Sequence, residues 1–154
     1  MSRNVKPIPE NYHGAIPYLN VKEGLSAVEF YKKAFGAREI TRILRKDGKL
    51  AHGELQIGAA TIMLRDEIPQ MDFLSPQSVG GTPIQMLIYV NDVDAFVKQA
   101  ETAGAKIVVP IKEQFHGDML AVLEDPFGHA WFFAMRIMNL SAEELEQRAR
   151  QWGI

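Results

Sequence analysis

The chain has 154 residues and no cysteine, with 47% hydrophobic residues, 23% charged residues and a formal net charge of −2. This length predicts one compact domain that needs no disulfide bond or structural metal to fold. The missing cysteine excludes thiol nucleophiles, cysteine zinc sites and iron–sulfur clusters, and the near-balance of 17 basic and 19 acidic residues argues against binding of nucleic acid or an anionic membrane surface.

The N-terminal segment, Met1 to Tyr12, is polar and contains proline. It lacks the apolar stretch of a secretory signal, and no part of the chain reaches the roughly 20 consecutive apolar residues that a spanning helix requires. We therefore expect a cytoplasmic protein with no membrane and no nucleic-acid partner.

The first half of the chain reads as strand, helix and three strands. A strand is predicted over Gly14 to Val21, and a helix that ends at Gly36 follows, with a capping box at Ser26 and Glu29. Three further strands are predicted at about 38–46, 49–57 and 60–66. Asp47-Gly48 predicts a type I′ hairpin between the first two of these.

The second half repeats this order after a breaker-rich loop at about 67–82. A strand is predicted over Ile84 to Val90, and Asn91 or Asp92 caps a helix that ends at Gly104. Three more strands follow at about 106–109, 119–123 and 130–137. A second capping box at Ser141 and Glu144 opens a short polar helix.

Corresponding positions of the two halves lie 69 residues apart, as for Ile16 and Gln85, Met63 and Phe132, and Val21 and Val90. This spacing predicts a duplicated βαβββ module and an α+β fold. The predicted boundaries are about 12–67 for the first module, 68–82 for the linker, 83–138 for the second module and 141–151 for the C-terminal helix.

Alternation along each strand sends one face to the helix and leaves the other, here called the open face, without a helix. In the first module the open face holds His52, Glu54 and Gln56 on one strand and Thr61, Met63 and Arg65 on another, with Tyr18 and Asn20 on the first. Trp131 and Phe133 are predicted to be core. If the two sheets face one another, their open faces line a central cleft of the kind that binds small organic molecules.

Several segments in this order resemble the glyoxalase/bleomycin-resistance (vicinal oxygen chelate) superfamily, and within it the PhnB-like branch. They are AIPYLNV, AVEFYKKAFGA, DGKLAHGELQIG, IMLRDE, YVNDVDAF, AGAKIVVP, QFHGD and DPFGHAWFFA, which together span about residues 12–145. The resemblance implies paired βαβββ modules that form a cupped sheet around a cleft, often in a dimer.

Metal-dependent members of that superfamily place four ligands in the cleft, and the matching positions here are Ile16, Met63, Gln85 and Phe132. Only Gln85 suits a hard or borderline cation, whereas a catalytic divalent site needs about three nitrogen or oxygen ligands. We therefore expect no metal and no cofactor. The missing ligands also argue against the lyase and dioxygenase activities of the superfamily.

Two hypotheses for function follow. The first is a protein that binds an aromatic or amphipathic compound in the cleft of a homodimer; its predicted ligand contacts are Tyr18, His52, Glu54, Met63, Gln85, Tyr89, Phe115, His116 and Phe132. The second is an enzyme of lyase, isomerase or dioxygenase type with a shifted site around His52, Glu54, Gln85 and His116, in which His52 and Glu54 are the catalytic candidates. The segment around Phe115 and His116 is either a lid over the ligand or an ordinary turn, and His129 is expected to be structural.

Overall fold

The computed structural model describes residues 5–154. Eight strands and four helices follow one another in two similar sets, which confirms the predicted α+β fold. The strands are β1 (Tyr18–Val21), β2 (Arg38–Leu44), β3 (Leu50–Ile57), β4 (Ala60–Asp66), β5 (Gln85–Tyr89), β6 (Lys106–Glu113), β7 (Asp118–Glu124) and β8 (Ala130–Arg136). The helices are α1 (Gly24–Phe35), α2 (Pro76–Val79), α3 (Val93–Thr102) and α4 (Ala142–Gln151).

The strands form two four-stranded sheets with the same topology. The first sheet has the order β1-β4-β3-β2 and the second the order β5-β8-β7-β6. The parallel pair in the first sheet sets Tyr18 opposite Met63, and the parallel pair in the second sets Leu87 opposite Phe132. Leu87 lies 69 residues after Tyr18, and Phe132 lies 69 residues after Met63, so the two sheets have the same strand register at the spacing that the sequence repeat predicts.

The first strand is shorter than predicted because its N-terminal part cannot continue the ladder. Gly14 has a left-handed φ of 70° and Pro17 has no amide hydrogen to donate. The carbonyl of Pro17 still accepts a hydrogen bond from the Met63 amide at 2.9 Å. The paired strand therefore begins at Tyr18.

Helix α1 begins two residues before Ser26, so the predicted capping box of Ser26 and Glu29 is wrong. Its N-cap is Glu23, which makes no side-chain cap, and the Glu29 carboxylate pairs with Arg42 and Lys32 instead. A β-carbon at Gly24 would lie 2.6 Å from both Asp66 Oδ2 and Leu50 Cβ. Tertiary packing around Gly24 thus sets the helix start, whereas the predicted C-cap at Gly36 is confirmed by its left-handed φ of 63°.

The β2–β3 hairpin also differs in detail from the prediction, because only Gly48 adopts a positive φ there (81°). The Gly48 amide donates to Arg45 O at 3.0 Å and the Arg45 amide to Lys49 O at 2.7 Å, which is a three-residue loop closed by a left-handed glycine. The β6–β7 hairpin repeats this pattern 69 residues later, from Gln114 to Asp118, with Gly117 at φ 85°.

Helices α1 and α3 lie side by side between the two sheets and form one core with the helix-facing side chains of both. Phe35 of α1 lies 6.0 Å from Phe96 of α3 and 5.0 Å from Trp131 of β8, measured between ring centroids. Trp131 and Phe133 are fully buried, as predicted. Because the helices occupy the space between the sheets, the two open faces of one chain do not meet each other.

Helix α4 begins at the predicted capping box, in which the Ser141 hydroxyl and the Glu144 carboxylate each accept a backbone hydrogen bond. It is fixed to the second hairpin by Arg148, which donates to Phe115 O at 2.8 Å and to the Glu113 carboxylate at 2.6 Å. Across residues 5–154, the helices are too short or too polar to span a lipid bilayer.

Candidate functional site

The open faces of the two sheets expose large apolar and aromatic side chains. Tyr18 is 41% exposed on the first sheet, and Leu87 and Tyr89 are each 51% exposed on the second. Ile40 and Ile43 add further exposed apolar surface on β2. Exposed apolar side chains gathered on one face of a sheet favour a binding or interaction role for that face.

The four positions that the resemblance matches to superfamily metal ligands offer few donor atoms for a metal ion. Ile16 and Gln85 line the same cavity, between the N-terminal segment and β5. Met63 on β4 and Phe132 on β8 do not line that cavity. An isoleucine and a phenylalanine offer no donor atom, and a thioether is a poor ligand for hard cations. Within the described part of the chain, no three His, Asp or Glu side chains gather closely enough to hold a metal ion.

On the first open face, Tyr18, His52, Arg65 and Phe73 form one cluster. The Tyr18 hydroxyl lies 2.7 Å from His52 Nδ1. The Arg65 guanidinium carbon lies 4.7 Å from the centroid of the Tyr18 ring and 3.9 Å from that of Phe73, and its Nε donates to Asn20 Oδ1 at 3.0 Å. The aromatic rings and the amide therefore fix the guanidinium in one orientation.

Glu54 has a different partner from the one expected. The hydroxyl of Tyr12, in the segment before β1, donates a hydrogen bond to the Glu54 carboxylate, and Glu54 is only 6% exposed. This hydrogen bond, together with partial burial and the carboxylate charge, raises the pKa of Tyr12. His52 contacts Tyr18, so the two catalytic candidates, His52 and Glu54, each have their own phenol partner.

On the second open face, the nearly buried Asp118 (1% exposed) gathers three side chains. Tyr89 and Arg136 each donate a hydrogen bond to its carboxylate, and His116 Nδ1 lies 3.2 Å from Oδ2. Burial raises the pKa of Asp118, but the hydrogen bonds from Tyr89 and Arg136 and the nearby positive charge outweigh burial and hold it below the ordinary value. The cluster therefore carries an ionised carboxylate with its charge compensated by Arg136.

The four residues of the shifted enzyme site are not brought together by the contacts within one chain. His52 contacts Tyr18, Glu54 contacts Tyr12, Gln85 lines the cavity described below, and His116 contacts Asp118 on the other sheet. Gln56, on the same face of β3 as His52 and Glu54, accepts a hydrogen bond from Arg38. The segment around Phe115 and His116 forms the β6–β7 hairpin turn, and Arg148 of α4 donates a hydrogen bond to Phe115 O.

A cavity of about 500 Å³ lies between the N-terminal segment, the β3–β4 turn and β5, and we call it the β5 cavity. Its volume falls in the range of small-molecule sites. Ten of its lining residues are apolar, including Ile16, Ile62 and Leu87, and the polar ones are Asn11, His13, Thr61 and Gln85. This composition suits a mainly apolar ligand with a few hydrogen-bonding groups.

His129 and the preceding turn have structural roles, as expected. His129 Nε2 lies 3.0 Å from Asn20 O, and the Asp125 carboxylate accepts the amides of Phe127 and His129 at 2.9 and 3.0 Å. Asp66 and Glu67, at the end of β4, have structural roles as well. Asp66 Oδ2 accepts the Leu50 amide at 2.7 Å, and Glu67 accepts hydrogen bonds from Ser75 and Ser78.

Sequence reasoning missed the partners of Arg65, Arg136 and Tyr12. Strand alternation did place Arg65 on the open face, and the same rule applied to β8 would have placed Arg136 beside Phe132 and Ala134. No sequence signal indicates that Tyr12 reaches Glu54, because the segment before β1 has no periodic pattern.

Comparison with known proteins agrees with this geometry. Residues 15–133 match the sequence family described as the glyoxalase/bleomycin resistance protein/dioxygenase superfamily. The protein Rv0887c of Mycobacterium tuberculosis (strain ATCC 25618 / H37Rv) is 39% identical over 156 residues, which cover 99% of this chain and 88% of that one.

TioX and FosX are two of the crystal structures that share the fold. TioX from Micromonospora sp. ML1 is 26% identical, with a TM-score of 0.66 over 82% of this chain and 100% of that chain. The fosfomycin resistance protein FosX from Listeria monocytogenes, complexed with Mn(II) and sulfate, is 17% identical, with a TM-score of 0.59 over 92% of this chain and 97% of that one, so it shows the fold alone. By its sequence match and its paired βαβββ architecture, the chain belongs to the glyoxalase/bleomycin resistance protein/dioxygenase superfamily.

Proposed function

We propose that this protein is a metal-independent small-molecule-binding member of the superfamily, of the PhnB-like branch, which holds an aromatic or amphipathic compound in its cleft. The observation that carries the proposal is the poor ligand set, with Ile16, Met63 and Phe132 at three of the four positions matched to metal ligands, together with the mainly apolar walls of the β5 cavity, which Ile16 lines. An apolar pocket with a few polar groups favours an organic ligand over a coordinated ion.

The proposed ligand contacts are the open-face and cavity residues predicted from the sequence. Tyr18 and Tyr89 supply exposed aromatic surface, and Gln85 supplies a hydrogen-bonding group in the β5 cavity. His52, Glu54, Phe115 and His116 lie on or beside the open faces, and Met63 and Phe132 occupy the central strands of the two sheets.

We further propose a cytoplasmic homodimer in which the first open face of one chain faces the second open face of its partner. In a single chain these faces are separated by α1 and α3, and each leaves apolar side chains such as Ile43 and Leu87 about half exposed. A second copy offers the complementary face and would enclose both apolar surfaces.

The experiment is a thermal-shift screen of hydrophobic aromatic compounds, run with and without chelator, with light scattering on the same protein. A ligand at 100 times its Kd stabilises the folded state by about 2.7 kcal/mol, so saturable stabilisation unaffected by chelator is expected. Leu87→Asp, on the open face, should abolish that stabilisation, and the matched control Val79→Asp, on exposed α2, should not. A complete absence of binding across the panel, or a monomer by light scattering, contradicts the respective part of the proposal.

A second candidate function is an enzyme of the superfamily, and one observation favours it. His116 lies against the nearly buried carboxylate of Asp118, with the Tyr89 hydroxyl and Arg136 beside it, and a histidine oriented by a carboxylate is a common arrangement for a general base. Elemental analysis of the purified protein tests the metal independence of the first function. One divalent metal per chain would overturn the metal-independent proposal and favour the enzyme.

A further inference from the structure

The arginines of this chain differ in the partner that holds each guanidinium. Of the seven described arginines, five lie within 3.8 Å of a carboxylate: Arg42, Arg45, Arg136, Arg148 and Arg150. Across residues 5–154, Arg38 and Arg65 have no such ion pair, and each donates instead to a neutral side-chain amide oxygen. Both lie on the first open face.

The environment of Arg65 orients its guanidinium without cancelling its charge. The rings of Tyr18 and Phe73 lie at 4.7 and 3.9 Å from the guanidinium carbon, and Nε donates to Asn20. The two Nη groups make no hydrogen bond within the described chain. Two parallel N–H groups on one edge of a guanidinium match the two oxygens of a carboxylate.

The second open face shows the opposite arrangement. Arg136 is also beside a tyrosine ring, 5.9 Å from the centroid of Tyr89, but its Nε donates to the Asp118 carboxylate. Its charge is therefore compensated within the chain. The charge of Arg38 is also uncompensated, but Arg38 lacks the pair of aromatic rings that lies beside Arg65. Arg38 lies at the other end of the open face, because its partner Gln56 is four residues along β3 from His52, roughly 13 Å away.

We propose that Arg65 is a binding subsite for a carboxylate, so that the ligand is an aromatic or amphipathic monocarboxylate. This inference rests on the proposed function and specifies the chemical class of the ligand. One guanidinium compensates one negative charge, which fits a carboxylate better than a dianionic phosphate. Tyr18, which is 41% exposed, offers aromatic surface to the aromatic part of the same ligand.

The test compares two probes of nearly equal shape, 2-naphthoate and its neutral amide, 2-naphthamide, by isothermal titration calorimetry. We expect the wild-type protein to bind 2-naphthoate more tightly than 2-naphthamide. Arg65→Gln should weaken 2-naphthoate binding about tenfold to hundredfold and leave 2-naphthamide binding unchanged. Arg65→Lys keeps the charge but not the two-pronged geometry, so it should recover part of the loss. Arg150→Gln, which removes the same charge from exposed α4, is the matched control and should change neither affinity.

The outcomes separate failure of the subsite from failure of the proposed function. If both probes bind wild type equally, or Arg65→Gln weakens both equally, the subsite is overturned while small-molecule binding stands. If neither probe binds, both proposals are overturned for this ligand class. If Arg65→Gln changes the mass measured by light scattering, the anion that Arg65 meets is a carboxylate of a second chain, and the subsite is likewise overturned.

Discussion

The hydrogen bond between Tyr31 and Asp125 ties α1 to the turn between β7 and β8, and we expect it to hold the helix layer against the second sheet. The buried Asp125 carboxylate accepts the Tyr31 hydroxyl at 2.6 Å and the Trp131 indole N–H at 2.8 Å. It also accepts two backbone amides of its own turn. One carboxylate thus joins residues that are 94 positions apart in the chain.

Tyr31→Phe removes one of these four hydrogen bonds and keeps the shape of the ring. Hydrogen bonds to charged groups contribute about 1.5–3 kcal/mol, so we expect the free energy of unfolding to fall by that amount. Asp125→Ala leaves the Tyr31 hydroxyl and the Trp131 indole without an acceptor, at about 1–3 kcal/mol for each buried group, and its cost should exceed that of Tyr31→Phe. In the Asp125→Ala background, Tyr31→Phe should then cost little, because the interaction is already gone.

The assay is urea unfolding followed by circular dichroism, with an unchanged m-value required for the comparison. Tyr18→Phe is the matched control, because its hydroxyl bonds to His52 on an exposed face, and its cost should be about 0.5 kcal/mol or less. Equal costs for Tyr31→Phe and Tyr18→Phe would refute the idea that this hydrogen bond secures the helix layer.

Three further predictions concern stability. Burial and the neighbouring Asp125 carboxylate raise the pKa of Tyr31 well above 10.0. The contribution of Tyr31 to the free energy of unfolding is therefore complete below pH 10 and falls above it by up to about 1.4 kcal/mol per pH unit. Urea midpoints measured between pH 9 and 11 should show that Tyr31→Phe lacks this part of the pH dependence. Gly24→Ala places a β-carbon 2.6 Å from Asp66 Oδ2 and should lower the free energy of unfolding, measured with heat or urea, by about 1–3 kcal/mol. An unchanged stability would mean that this close packing does not set the start of α1. Ser141→Ala should lower the free energy of unfolding by about 1 kcal/mol because it removes a helix N-cap, whereas Ser26→Ala, inside α1, should lower it by less than half of that. The reverse order of unfolding midpoints would contradict the assigned start of α1.

The element order, the strand faces and the repeat could all be predicted from the sequence, because each depends on a local period. Leu19, Leu55 and Trp131 are buried where alternation placed them, and Tyr18 and Tyr89 lie on the open faces. The residues at the four positions matched to metal ligands came from the resemblance to the superfamily, and the expectation that they hold no metal stays a prediction.

The partners of the polar side chains could not be predicted, because they depend on contacts between distant parts of the chain. Tyr12 meets Glu54 across 42 residues, and Arg65 lies between two rings that come from β1 and from the loop after β4. The start of α1 also escaped prediction, since it depends on the close approach of Gly24 to Leu50 and Asp66. For α1 the sequence pattern favoured the local capping box at Ser26 and Glu29 instead.

The position of α1 and α3 between the sheets has a consequence for genetic complementation. In the proposed dimer each chain contributes one wall to each of two clefts, so a chain damaged on its first sheet still carries an intact second wall. Mixing such a chain with one damaged only on its second sheet would produce heterodimers that contain one fully intact cleft and one doubly damaged cleft. Two variants that are each unable to bind would then regain binding on mixing, up to one site per heterodimer.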